Sequence, residues 1–144
     1  MPNRNLQSIV SQRPLVIGAP SMSVYDAAVA MRAKGIGSVL VEEAGRLTGI
    51  FTERDLLNRV VAAGKDPAGT TLSEVMTKDV VGMEGDKPLS HALHLMHQHN
   101  FRHVPVLAQG KPIGMVSARD ALGIEWQDFE REVKLANDIA EILA

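Results

Sequence analysis

Apolar residues in the first half of the chain change period several times, and each change marks an element. Leu15, Val16 and Ile17 behind Pro14 predict a short extended segment over 11–17, ended by Gly18 and Pro20. Val24, Ala27, Ala28 and Met31 then recur at i, i+3, i+4 and i+7. Ser23 stands as the N-cap of this helix, Asp26 at its third position, and Gly35 and Gly37 close it. Ser38-Val39-Leu40-Val41 and the run from Leu47 to Phe51, on either side of a turn at Glu43-Ala44-Gly45, read as a hairpin or two neighbouring strands. From Glu53 a helix with Leu56, Leu57, Val60 and Val61 inward runs to Gly64, followed by a linker with Pro67 and Gly69. Thr71-Leu72-Ser73-Glu74 is a capping box that starts a one-turn helix through Met76, and Asp79-Val80-Val81-Gly82 is expected to repeat the short extended element.

From there the order of elements replays. Shifted by 65 positions, Val24 to Leu57 aligns with Leu89 to Leu122 without a gap, and nine of those 34 positions are identical. Among them are Ala27/Ala92, Met31/Met96, Val39/Val104, Gly49/Gly114, Arg54/Arg119 and Asp55/Asp120. Two copies of one unit imply an α/β fold of two β-α-β-β-α repeats related by a pseudo-twofold axis, with any sites paired in the cleft between them. The expected division is 11–64 for the first repeat, 65–71 for the linker, 72–124 for the second repeat and 125–144 for an extra C-terminal amphipathic helix.

The doubled stretch with the most chemistry is Gly49-Ile50-Phe51-Thr52-Glu53-Arg54-Asp55, which returns as Gly114-Met115-Val116-Ser117-Ala118-Arg119-Asp120. In each, a strand runs into a helix N-terminus, where unpaired backbone amides and the helix dipole favour an anion. The Asp can accept hydrogen bonds from two vicinal hydroxyls, and the Arg beside it can balance phosphate. The same spacing is also a capping box, whose only task is to start a helix. Duplication in register favours the ligand-binding reading over the cap.

Composition narrows the classes. A chain of 144 residues with 45% hydrophobic residues can bury a core without staples, and the absence of Cys removes disulfides, thiolate zinc sites and cysteine nucleophiles. The composition suits a reducing cytosol, and no stretch reads as a signal peptide or a bilayer span, so a cytoplasmic protein with no membrane partner is expected. A net charge of −2 with scattered cations, three Phe, one Tyr and one Trp offers neither a basic stripe nor a stacking platform, so no nucleic acid partner is expected. No nucleophilic triad, Walker-type loop or His/acid pairing is present, so no catalytic residues are assigned and no enzyme is read.

The chain resembles a tandem pair of cystathionine-β-synthase-type (CBS) domains, a Bateman module, over about residues 11–124. The doubled Gly-x-x-Thr/Ser-x-x-Asp carries the resemblance, supported by Val75-Met76-Thr77 and Arg102-His103-Val104-Pro105-Val106. It implies a regulatory sensor with no catalytic cofactor, whose ligand is AMP, ADP or ATP held in the cleft. By position, Asp120, Ser117 and Arg119 would work with Ser11, Pro14 and Val16, and Asp55, Thr52 and Arg54 with Thr77, Lys78 and Val80. Arg102 and His103 would come within reach of phosphate. The first repeat has Gly37-Ser38 in place of that basic pair, so its partner site is expected to bind more weakly. Other members hold S-adenosylmethionine, NADH or cyclic dinucleotides, and some keep the fold as an interaction module with vestigial clefts.

Three further patterns need placing. His91, His94 and His97 share one broad helix face, opposite Leu89, Ala92, Leu93 and Met96; without a carboxylate to complete a ligand set they are read as surface, with no metal. Met31 and Met96 occupy equivalent positions and are read as core filler. Trp126, Phe129, Val133, Ala136, Ala140 and Leu143, spaced 3, 4, 3, 4, 3, form an apolar stripe that predicts burial against the chain itself, a sister subunit or a target protein. With no output domain in view, signalling is expected through the geometry of a homodimer or through an unknown target protein.

Overall fold

The computed structural model describes residues 4–144, without the side chains of 122–130. Two three-stranded sheets carry the fold. In the first, β1 (Ile17–Gly18) pairs in parallel with β2 (Ser38–Glu43), which pairs antiparallel with β3 (Arg46–Thr52). In the second, β4 (Met83–Glu84), β5 (His103–Ala108) and β6 (Lys111–Ser117) repeat that order and those directions. The registers coincide at the offset read from the sequence: Ser38 faces Thr52 as His103 faces Ser117, and Gly18 faces Val41 as Met83 faces Val106. Both hairpins turn through two residues of positive φ, Ala44-Gly45 and Gln109-Gly110, as a tight loop between right-twisted strands demands.

The helices follow from caps and apolar spacing. Between β1 and β2, α2 (Val24–Lys34) starts at Ser23, whose hydroxyl accepts the Asp26 amide, and stops at Gly35 with φ 65°. It buries Val24, Ala27 and Met31. Its counterpart between β4 and β5, α5 (Leu89–His99), buries Leu89, Ala92 and Met96 and leaves His91, His94 and His97 exposed. After β3 comes a single α-helical turn, α3 (Glu53–Asp55), which widens at once into a π-helical stretch, Leu56–Val61. After β6, α6 (Ala118–Leu143) runs 26 residues without a break, joining the helix of the second motif to the tail.

Each repeat's core is completed by a short helix from the other side of the sequence repeat. α1 (Leu6–Val10), capped by Asn5, contributes Leu6, Ile9 and Val10 to the second core, beside Leu89, Met96, Val104 and Val116. α4 (Leu72–Val75) contributes Leu72 and Val75, with Met76, to the first, beside Val24, Met31, Phe51 and Val60. The two repeats are therefore interlocked, and β3 lies against β6 where they meet.

Three sequence expectations are corrected. The extended segments are shorter and later than 11–17 and 79–82. Ser11 is the helical C-cap of α1, Gly18 belongs to β1, and Asp79, at φ 57°, interrupts any strand before β4. Leu57 and Val61 do not point inward but are 60% and 61% exposed, while Val60 is buried. Bonds of the π type, such as the Ala62 amide on the Leu57 carbonyl (2.8 Å), spread residues wider than 3.6 per turn and swing those two off the core face. α1 is the third difference, a helix with no counterpart in the apolar pattern.

Candidate functional site

At each motif the strand ends in an extended residue whose hydroxyl caps the helix. Thr52 (φ −118°, ψ 166°) accepts the Asp55 amide at 3.3 Å, and Asp55 Oδ2 accepts the Thr52 amide at 3.0 Å. In the second copy Ser117 caps α6 and donates its amide to Asp120 Oδ2 at 2.8 Å. The capping box is thus real in both copies, whatever else the carboxylates do. The junctions are also tied sideways, since the Glu53 amide bonds the Gly37 carbonyl (2.9 Å) and the Ala118 amide that of Arg102 (3.0 Å). This corrects the expected row of unpaired amides: at the first junction Thr52, Glu53 and Asp55 are engaged, leaving that of Arg54.

The second oxygen of each carboxylate faces a cation. Asp55 Oδ1 lies 3.5 Å from Arg59 Nε, one helical step of four residues away. Arg59 also donates to the Val75 carbonyl at 3.1 Å, tying the π-helical stretch to α4. Asp120 Oδ1 is held by Arg13, which arrives from the turn after α1 and remains 44% exposed while the carboxylate is 9% exposed. Neither Arg13 nor Arg59 is among the sequence candidates. The i, i+4 spacing could have pointed to Arg59; the partnership of Arg13, 107 residues from Asp120, has no local signal.

His103, the first residue of β5, feels charges from both motifs. Partial burial of its ring, then Arg119, lowers its pKa below the ordinary 6.5, Arg102 adds to this, and Glu53 of the first repeat and Asp120 oppose it. His103 nevertheless remains exposed. Charges of both repeats, Arg102, Arg119 and Asp120 of one and Glu53 of the other, thus bear on a single imidazole.

The remaining candidates divide. Thr77 pairs through both backbone groups with Ile50 of β3 (3.0 and 2.9 Å), which sets the 77–80 segment beside the first motif. Lys78 and Val80 line a cavity of about 520 Å³ together with Leu47, Thr48, Ser73 and Met76, but Thr52, Arg54 and Asp55 do not reach it. Ser11 and Pro14 flank Arg13 and are exposed. The Val16 side chain is not brought to the cleft: it is 6% exposed and packs in the first core with Val24 and Val39.

Comparison with known proteins agrees with this architecture. The family model for the CBS domain matches twice, over residues 7–62 and 72–125. An uncharacterised protein of Methanopyrus kandleri is 36% identical over 118 residues, which is 81% of this chain and 60% of that protein, so the chain spans three-fifths of that relative. The uncharacterised protein YlbB of Bacillus subtilis is 37% identical over 121 residues, covering 83% of this chain and 80% of its own length. The crystal structure of a CBS-domain protein from Agrobacterium tumefaciens superposes with a TM-score of 0.71 at 32% identity, over 84% of this chain and 98% of that one. Two further solved neighbours, each 24% identical, hold adenosine compounds. One is a CBS domain protein of Pyrobaculum aerophilum with AMP (TM-score 0.70, 79% of this chain, 88% of that one). The other is a CBS domain pair with 5′-methylthioadenosine and S-adenosyl-L-methionine (TM-score 0.75, 88% and 99%), and at such identity the likeness is one of fold. With two matched repeats and two sheets in one register, the chain belongs to the CBS-domain family as a tandem pair.

Proposed function

We propose that this protein is a regulatory module that binds an adenine nucleotide, AMP, ADP or ATP, at its motif junctions and passes the signal on through homodimer geometry or a partner protein. The observation that carries the reading is the division of labour within each carboxylate: Oδ2 is spent on the helix cap, whereas Oδ1 faces an arginine that is at least 44% exposed. A ribose diol can donate to such an oxygen, and at Asp120 the displaced guanidinium of Arg13 is then available to phosphate. Adenosine ligands in two structural neighbours support the class of ligand. The surroundings of Asp55, where Arg54 and Arg59 offset Glu53 and Asp55, favour a second reading for that junction alone. It would take an adenosyl ligand with little or no net charge, such as S-adenosylmethionine.

Calorimetric titration of AMP, ATP and S-adenosylmethionine into wild type, Asp55→Ala, Asp120→Ala and the double variant tests this, alongside urea melts without ligand. Asp120→Ala is expected to weaken AMP at least about tenfold, the loss of a charge-assisted hydrogen bond. Removal of the cap should cost about 0.5–2 kcal/mol of stability in the same variant. Asp55→Ala is expected to affect a second, weaker site. Unchanged affinity in the double variant would leave the carboxylates as caps alone, and no binding to wild type would leave the clefts vestigial.

A further inference from the structure

The two junctions share a backbone but not a charge. Beside Asp55, Arg54 and Arg59 stand against Glu53 and Asp55 itself, two cations and two anions. Around Asp120 stand Arg13, Arg102 and Arg119 against Asp120 itself and Glu53 of the other repeat, whose charges, Arg13 apart, all bear on His103. The difference arises at matched places: Ala118 replaces Glu53, and Arg102 replaces Gly37. The cations at the second junction also come from three separate elements, the turn after α1, the start of β5 and the first turn of α6.

We infer that Arg13 is a specificity-determining residue that makes the Asp120 junction selective for adenosyl ligands carrying phosphate. Its guanidinium holds Asp120 Oδ1, the oxygen that a ribose diol would need. A ribose taking that oxygen must move Arg13 off a carboxylate that is 9% exposed, and this cost is recovered only if the ligand brings an anion for the guanidinium to follow. A ligand with phosphate recovers it; adenosine or a sulfonium nucleoside does not. At the Asp55 junction the holding cation, Arg59, is anchored to the Val75 carbonyl on the same side, so it is not free to follow a phosphate. Because Arg13 lies just after α1, whose Val10 packs on Gly114 of β6, its transfer from carboxylate to phosphate would also pull on the segment that completes the second core.

This inference rests on the reading that Asp120 holds ribose, and the test separates the two. In an Asp55→Ala background, where the second junction is the one left intact, adenosine, AMP, ATP and S-adenosylmethionine are titrated into the full chain with Arg13, with Arg13→Gln, and with Asp120→Ala. With Arg13 present, affinity should rise from adenosine through AMP to ATP. Arg13→Gln should weaken ATP at least about tenfold while binding adenosine no more weakly, because the competitor for Oδ1 has gone. If Arg13→Gln weakens adenosine as much as ATP, or leaves ATP unchanged while Asp120→Ala still weakens it, the selectivity role is overturned and the ribose site stands. If no adenosine compound binds, or Asp120→Ala alters no affinity, the ribose reading itself falls and the inference with it. Arg13 is largely exposed, so Gln at this position is expected to fold; a urea melt of each variant verifies it.

Discussion

Asp55, Asp120 and His103 show how much of a site can be named from residue types and how little of its wiring. The motif spacing identifies both carboxylates and the hydroxyls that cap with them, because a capping box is a local, three-residue geometry. It cannot show that Arg13 closes one carboxylate or that the charge of Glu53 bears on His103, since both depend on how the repeats interlock. They have a measurable consequence at His103. Its pKa in the folded protein lies below that of the unfolded chain, through burial, Arg119 and Arg102. The unfolded state therefore takes up the proton first as pH falls. Stability is at its full value above about pH 6.5 and declines as the pH drops from there toward the lower folded pKa. Melting temperature should thus fall more steeply for wild type than for His103→Gln between about pH 7.5 and pH 5.5. Phosphate placed near the imidazole would raise its pKa, so AMP should bind more tightly to wild type at the acid end of that range, a trend the variant should lose. Parallel pH profiles for the two proteins would argue against this electrostatic position for His103.

Among the elements, strands, hairpins and long helices are legible because each announces itself through its own period and punctuation: Ser23 and Gly35 around α2, Ala44-Gly45 in the first turn. What the pattern misses are elements that tertiary contact makes. α1 has five residues, too few for a helical period, and exists because the second core needs Leu6, Ile9 and Val10. The π widening after Asp55 leaves no mark in the apolar pattern, so Leu57 and Val61 read as inward with Val60. The motif glycines also acquire their reason only in three dimensions. A Cβ on Gly49 would lie 2.5 Å from the Met76 sulfur, and one on Gly114 would lie 2.4 Å from Val10 Cβ. Met76 can swing its thioether aside, whereas Val10 is branched at the very atom that clashes and sits on a packed helix turn. Gly114→Ala should therefore destabilise by about 1–3 kcal/mol and Gly49→Ala by clearly less. Urea melts of the pair decide it, and equal losses would show that Met76 is as rigidly held as Val10.

At the scale of the whole molecule the unsettled surface is the far half of α6. Repeat pairing accounts for the sheets, both cores and the cleft, and it is the part of the architecture most open to reading from sequence because duplication supplies its own alignment. The tail has no second copy to compare. Of its predicted stripe, Trp126 and Phe129 lie outside the described side chains, but Val133 is 42% exposed and Leu143 80%, and Leu135, Ile139 and Ile142 are exposed at 61%, 47% and 82%. Over 131–144 no side chain is buried against the repeats, although a 26-residue helix reaches about 39 Å. Apolar side chains spaced by three and four on an uncovered helix match the seam of a helix pair, and leaving them in water is unfavourable. The expected outcome is a homodimer held through α6, so light scattering should report a dimer for the full chain and a monomer for a chain ending at Gly123. Ile139→Asp, at the centre of the exposed run, should have the same effect without shortening the helix. A truncated chain that remains dimeric would move the contact to another exposed apolar surface, for which Leu57 and Val61 are placed on the repeat itself. A full chain that is monomeric at tens of micromolar would refute the dimer and leave a partner protein as the cover for the stripe.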